Sequence, residues 1–231
     1  MLVSAAFLSN KGLQVNPRTL PRIYRLFTDW LVGNVHLIES EDIKALNKAM
    51  HSVLLDAYVH NWKISVIDSS NSFNPFLLDQ YAGDLDTSDI LERISLARPF
   101  QVLQSLSLVQ NVAKDINGPS HLLLAPSFFS LFRQAIEEDS YPGIETVLVQ
   151  STRLLQQMAV KGATIILTDN VTQNNPIQSI CKIHVRQKRI AENTWLDQLI
   201  SHPFLPPTEY QFSGNPVRKV PTQQLTLNDF F

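Results

Sequence analysis

Lys63-Ile64-Ser65-Val66-Ile67-Asp68-Ser69-Ser70-Asn71-Ser72-Phe73-Asn74-Pro75 decides how the rest of the chain is read. It opens as a short apolar strand, from about Trp62, and breaks after Ile67 into a polar elbow. In a parallel α/β sheet, ligands and catalysis gather at the carboxyl ends of strands. The elbow is therefore the first place to look for a site. Asp68 and Ser69 also have the chemistry to cap backbone amides in an ordinary strand-to-helix turn. Both readings are open from residue types alone.

Outward from the elbow, short apolar strands alternate with helical patterns. Strands are predicted at residues 35–38, 62–67, 121–125, 163–168, 180–187 and 210–212, with 195–200 undecided. Helices are predicted at 17–31, 41–59, 76–81, 89–97, 99–116, 128–135 and 144–160. Ser40 is the expected N-cap of the 41–59 helix, with acids in its first turn. Val102, Leu103, Leu106, Val109, Val112 and Ala113 are expected on the buried face of the 99–116 helix. This alternation implies βαβ units and a mostly parallel sheet, an α/β fold. From residue 214 the apolar pattern lapses, so the chain divides into a core domain at 1–213 and a flexible tail at 214–231.

The 231 residues are 44% hydrophobic, enough for a sizeable core, and carry a net charge of −2. Such a balance gives no global drive towards nucleic acid, though it leaves room for a local basic patch. Cys181 is the single cysteine, which excludes an intrachain disulfide and a cysteine-rich zinc site. The six histidines are scattered without metal-ligand spacing. Residues 1–8 are apolar without a basic lead-in and read as a buried edge segment, not a signal peptide. No apolar run approaches the roughly 20 residues of a membrane span. No cofactor is expected, and the location expected is intracellular.

Four local matches, in order, give the chain a family likeness. Residues 66–75 resemble YIDTEGTFRP, residues 89–100 resemble VLDNIYVARAF, residues 165–171 resemble VVITNQV, and residues 202–207 resemble SPCLPE. Together they resemble the core domain of the RecA/RadA recombinase family over about residues 31–217. The resemblance implies a RecA-like three-layer sandwich with a mostly parallel central sheet. It also implies a nucleotide site that has decayed. After the first strand stand Glu39, Ser40 and Lys44 with no glycine, where a phosphate loop needs glycines, a lysine and a hydroxyl. Glu39, Glu41 and Asp42 are expected to repel a triphosphate there. Ser70 holds the place of the family's catalytic glutamate, beside a retained Asp68. Pro126 (or Ala125, one residue earlier) falls where the metal-associated aspartate belongs, and Asn170 where a glutamine senses nucleotide state. No ATP hydrolysis, and no enzymatic activity, is expected.

The tail ends in Gln224-Leu225-Thr226-Leu227-Asn228-Asp229-Phe230-Phe231. This resembles the PCNA-interacting peptide, the PIP-box. Leu227, Phe230 and Phe231 would converge on one apolar pocket in a single helical turn, with Gln224 in a separate subsite. Arg218 and Lys219 before it would meet an acidic clamp edge. Gln224-Leu225-Thr226-Leu227 also resembles the start of the bacterial clamp-binding peptide, but Asn228 replaces the phenylalanine that peptide wants. The alternative for Phe230 and Phe231 is to fold back on the chain's own core.

Lys182, Arg186, Lys188 and Arg189, with His184 among them, form the basic concentration. Lys182, His184, Arg186 and Lys188 would share one face of a strand and are the candidate DNA contacts; a solvated strand face is the other reading. Phe128, Phe129 and Phe132 are expected in the core. The function expected is a non-catalytic recombinase paralog in homologous recombination and DNA repair, docked on a PCNA-type sliding clamp and bound to a RadA-type recombinase or another paralog. It would be DNA-associated, in nucleoid or nucleus. Two alternatives are a divergent ATP-binding RecA-like ATPase and an accessory subunit of a translesion DNA polymerase.

Overall fold

The structure, a computed structural model, describes residues 33–83, 85–116, 118–139, 141–171, 177–191, 194–204 and 206–213. The expected 17–31 helix, the polar loop at 172–176 and the tail with its peptide lie outside the described residues.

The elements run β1 (Val35–Ser40), α1 (Ile43–Val59), β2 (Lys63–Ile67), α2 (Pro75–Ala82), α3 (Thr87–Glu92), β3 (Ile94–Ala97), α4 (Val102–Asp115), β4 (His121–Pro126), α5 (Ser130–Glu137), α6 (Ile144–Val160), β5 (Thr164–Asp169), β6 (Ile183–Ala191), β7 (Thr194–Ser201) and β8 (Thr208–Ser213). One eight-stranded sheet has the order β3-β2-β4-β5-β1-β6-β7-β8. β3 through β6 in that order are parallel, and β7 and β8 are antiparallel. The protein is thus α/β with a mostly parallel sheet.

Crossover handedness sets which face each helix covers. Connections from β1 to β2 and from β2 to β3 run one way along the sheet; those from β3 to β4 and from β4 to β5 run the other. Right-handed crossovers then place α1, α2 and α3 on one face and α4, α5 and α6 on the opposite one. The side chains agree. Leu122, Leu124 and Ile166 pack with Leu46, Met50, Leu54, Leu78 and Ile90 in one core. Their alternating neighbours Leu123, Ala125, Ile165 and Leu167 pack with Val109, Phe132, Leu155 and Met158 in the other. Central strands covered on both faces explain why β1, β4 and β5 are buried at every residue rather than at alternate ones. Phe128, Phe129 and Phe132 form an aromatic cluster in the second core, as expected, with ring centroids 5.1–5.8 Å apart.

Three expectations need correction. Residues 89–97 are not one helix: α3 ends at Glu92, and Ile94–Ala97 pair with Ile64–Ile67 as edge strand β3. Pairing along the open edge of β2 outweighs helical spacing in so short a segment. Leu103 points outward and is 46% exposed. Asp42, not Ser40, caps α1: its carboxylate accepts from Lys44 N at 2.9 Å, while Ser40 Oγ accepts from Asp42 N at 3.1 Å. The undecided stretch 195–200 lies in β7.

Candidate functional site

The parallel strands end together at one edge of the sheet, where β1, β2, β4 and β5 present Glu39-Ser40, Asp68, Pro126 and Asp169. At β1, only Glu41 and Asp42 separate strand from helix. A phosphate loop needs several residues there to wrap backbone amides round an anion. Here the Asp42 carboxylate holds the α1 N-terminus, the position a phosphate would take. Lys44 and Glu41 are exposed. Glu39 is not placed to repel a triphosphate, the role the sequence suggests for it. It is fully buried and accepts from His184 Nε2 at 2.8 Å and from Arg186 Nη2 and Nε at 3.0 and 3.3 Å. Its charge is neutralised within the protein, so it is not the group that would repel a triphosphate. Alternation explains the geometry: Glu39, His184 and Arg186 share one sheet face, opposite Ile38, Ile183 and Val185.

At β2 the elbow is a capped turn. Asp68, 1% exposed, accepts from Ser72 N at 2.9 Å, Ser72 Oγ at 3.2 Å, Phe73 N at 3.0 Å and Arg98 Nε at 3.3 Å. Arg98 Nη2 also donates to Phe73 O at 3.0 Å. Asn71 adopts a left-handed φ of 55°, which asparagine tolerates, and turns the chain back. Asn74 then caps α2 by accepting from Phe76 N at 2.9 Å, with Pro75 opening the helix. Asp68 therefore fills the capping role read from the sequence. Ser69 does not: its buried Oγ has no hydrogen-bond partner, and it is the Ser69 carbonyl that accepts from Ser130 Oγ at 3.4 Å. Ser70 is exposed.

At β4 and β5, Pro126 is buried in register with Thr168. Asp169, also fully buried, takes a bidentate pair from Arg133 at 2.7 and 2.7 Å and accepts from Asn170 N at 2.8 Å. The carboxylate raises the Arg133 pKa further. Asn170 is exposed. Each of the three strand-end carboxylates is thus held by an arginine of this chain. Arg98, Arg133, Asp169 and the pairing of His184 were not read as a unit from the sequence, because the partners come from distant elements.

The basic residues around β6 do not make one strip. Arg186 is engaged by Glu39 and His184 is buried. Lys182 N donates to Val35 O at the start of β1, whereas Lys188 lies beyond the last β1 pairing, Ser40 with Gln187. Six residues of strand separate the two lysines by about 20 Å. Lys188 and Arg189 are exposed where β6 continues past β1, paired only with β7.

Elsewhere, His121 Nε2 and Ser65 Oγ share a buried hydrogen bond of 2.9 Å, and burial beside Lys63 pushes the His121 pKa down to about 4. Asp197 is 2% exposed. Its Oδ1 accepts from Gln187 Nε2 at 2.9 Å, its Oδ2 has no hydrogen-bond partner, and burial pushes its pKa up to about 7. Burial, with the Glu39 charge, pushes the Cys181 thiol well up, so it is a poor nucleophile. Among the described residues no cluster of His, Cys, Asp or Glu could hold a metal ion, and no helix is long and apolar enough to cross a membrane.

The fold and this edge define an α/β protein whose strand-end acids are spent on internal ion pairs. No family model matches the chain, and no curated protein matches it.

Proposed function

We propose that this chain is a RecA-like, non-hydrolysing scaffold that serves as an accessory factor in homologous recombination and DNA repair, recruited to a PCNA-type sliding clamp by Gln224, Leu227, Phe230 and Phe231. One observation carries the scaffold part. The positions matched to a recombinase active site, Ser40 and Lys44, Ser70, Pro126 and Asn170, fall at the carboxyl ends of four neighbouring strands in the order β2-β4-β5-β1. Parallel pairing brings all these strand ends to one edge, and the stretches matched by the resemblance are the ones that stand there. Two separate cores on opposite faces of the sheet further support a three-layer sandwich.

The same edge argues against hydrolysis. Asp42 occupies the helix N-terminus in place of phosphate, and Asp68 is committed to the elbow amides and Arg98. Ser70 offers no carboxylate to activate water. Recruitment is then the working role: a tethered docking peptide raises the local concentration of a bound recombinase or paralog at the clamp. Lys188 and Arg189, exposed on the extension of β6, would touch DNA phosphate; Arg189 Nε already donates to Ala191 O at 3.3 Å.

Titration of PCNA with wild type and with a Phe230→Ala/Phe231→Ala double variant tests recruitment; equal affinity refutes it. Equilibrium dialysis with ATP and magnesium tests the lost site. Binding below millimolar ATP would restore the divergent-ATPase reading.

A further inference from the structure

We infer that residues 225–230 of the tail add to the open edge of β3 as an antiparallel strand, which withholds the clamp-docking residues until a partner displaces them. β3 pairs with β2 alone among the described residues. Ala97 O accepts from Asp68 N on the β2 side, and a strand's backbone groups alternate sides, so Leu96 N–H and C=O point outward. Sheet edges are commonly guarded by charged side chains that repel an added strand. Here the flanking charges turn inward: Arg93 contacts Asn61 and Asp89, and Arg98 contacts Asp68 and Phe73 O. Apolar surface surrounds the edge instead. Leu96 is 38% exposed, Phe100 79% and Leu103 46%.

The tail has the reach and the pattern to fill this edge. β6 is parallel to β1, and β7 and β8 each reverse, so β8 runs in the direction of β1. The chain therefore leaves β8 at the carboxyl edge of the sheet, the end at which β3 gives way to Phe100. Seven strand spacings of about 4.8 Å put β3 about 34 Å from β8. Residues 214–224 span about 37 Å when extended, and they are mostly polar with prolines at 216 and 221. A segment arriving from there runs down β3 antiparallel, its side chains alternating between faces. In the register that sets Asn228 opposite Leu96, Phe230 falls opposite Ile94 and diagonal to Leu96, on the face of α1, α2 and α3. Leu225 and Leu227 fall on the other face, where Phe100 and Leu103 stand at the start of α4. Leu227 and Phe230 cannot at once lie along β3 and form the helical turn that docks on a clamp. The consequence for recruitment rests on the clamp-docking function proposed above, whereas the contact itself does not.

Hydrogen–deuterium exchange of the full chain tests the contact at residues 94–97. Wild type should exchange Leu96 N–H about tenfold more slowly than Leu225→Lys/Leu227→Lys, which sets two charges against Phe100 and Leu103. Equal exchange in the two proteins overturns the added strand. Titration of PCNA tests the withholding. Leu96→Lys/Phe100→Lys, which guards the edge, should bind PCNA about three- to tenfold more tightly than wild type; equal or weaker binding overturns it. Should that pair fail to fold, Phe100→Lys alone decides by the same criterion. Absence of PCNA binding in every protein refutes the clamp reading, and the exchange comparison still decides the contact.

Discussion

Replacing Asp197 by asparagine should stabilise the protein at pH 8 and change little at pH 4. Asp197 sits opposite Gln187 across the β6–β7 pair, 2% exposed, with Oδ2 unbonded and a pKa pushed up to about 7 by burial. In the unfolded chain its pKa returns to about 3.9. The folded carboxyl therefore keeps a proton that the unfolded one has lost, and the stability it lends below pH 4 is drained as pH rises towards 7. Three units at about 1.36 kcal/mol each set a ceiling of about 4 kcal/mol; with local relaxation about 2–3 kcal/mol is expected. Asparagine keeps the oxygen that accepts from Gln187 and carries no charge to desolvate. Urea unfolding of both proteins at pH 4, 6 and 8 should show a difference near zero at pH 4, growing to that size at pH 8. In a thermal scan it amounts to about 5–10 °C. A difference independent of pH, or an asparagine variant less stable at pH 8, would refute the assignment of a neutral buried acid.

His121 has the opposite sign: its pKa, held near 4, makes the unfolded state bind the extra proton, so stability is lost as pH falls from 6.5 to 4. In the Asp197→Asn background this acid limb should reach about 2 kcal/mol and largely vanish in His121→Gln, measured by urea unfolding across that range. Arg133→Met strands the buried Asp169 charge and should cost about 3–5 kcal/mol, most of it recovered by adding Asp169→Asn; failure of the second change to rescue would mean that packing, not charge, was lost. Phe132→Ala, at 1% exposure in the aromatic cluster, should cost about 3–5 kcal/mol, while Phe76→Ala, at 80% exposure, should stay within about 0.5 kcal/mol of wild type by the same denaturation assay.

The sequence was most legible where one face or one core imposed a strong pattern. The helix read at 144–160 is α6 to the residue, ended by Lys161 and a Gly162 with φ 103°, where an added Cβ would press on the Pro119 backbone at 3.3 Å. The buried strands β4 and β5 stand within one residue of their reading, because each holds a run of consecutive apolar residues, 122–125 and 165–167, that is buried on both faces. Legibility failed at the open edge of the sheet. Ile94–Ala97 carry no strand alternation of their own: Ser95 and Leu96 are exposed and Ile94 and Ala97 only partly buried. What makes them a strand is the unpaired side of β2, which no local window contains.

Two of the strand-end acids, Glu39 and Asp68, were legible as site positions but not as to purpose, and Asp169 was not singled out. Glu39 and Asp68 sit where a nucleotide site would sit, and residue types alone cannot separate an acid waiting for metal or water from one already satisfied. The deciding partners are 30, 36 and 147 residues away: Arg98 for Asp68, Arg133 for Asp169, Arg186 for Glu39. A single sequence gives no means of pairing them. The sequence did contain one usable sign, since each arginine lies in or beside an element that the βαβ order returns to the same sheet edge. A buried carboxylate must be paired or neutral. An arginine that reaches it in the folded chain removes it from the chemistry of an incoming ligand, and at this edge that has happened three times. Ser70→Glu should therefore give no ATP hydrolysis in a phosphate-release assay, because Asp42 still closes the β1–α1 junction; measurable hydrolysis would refute this.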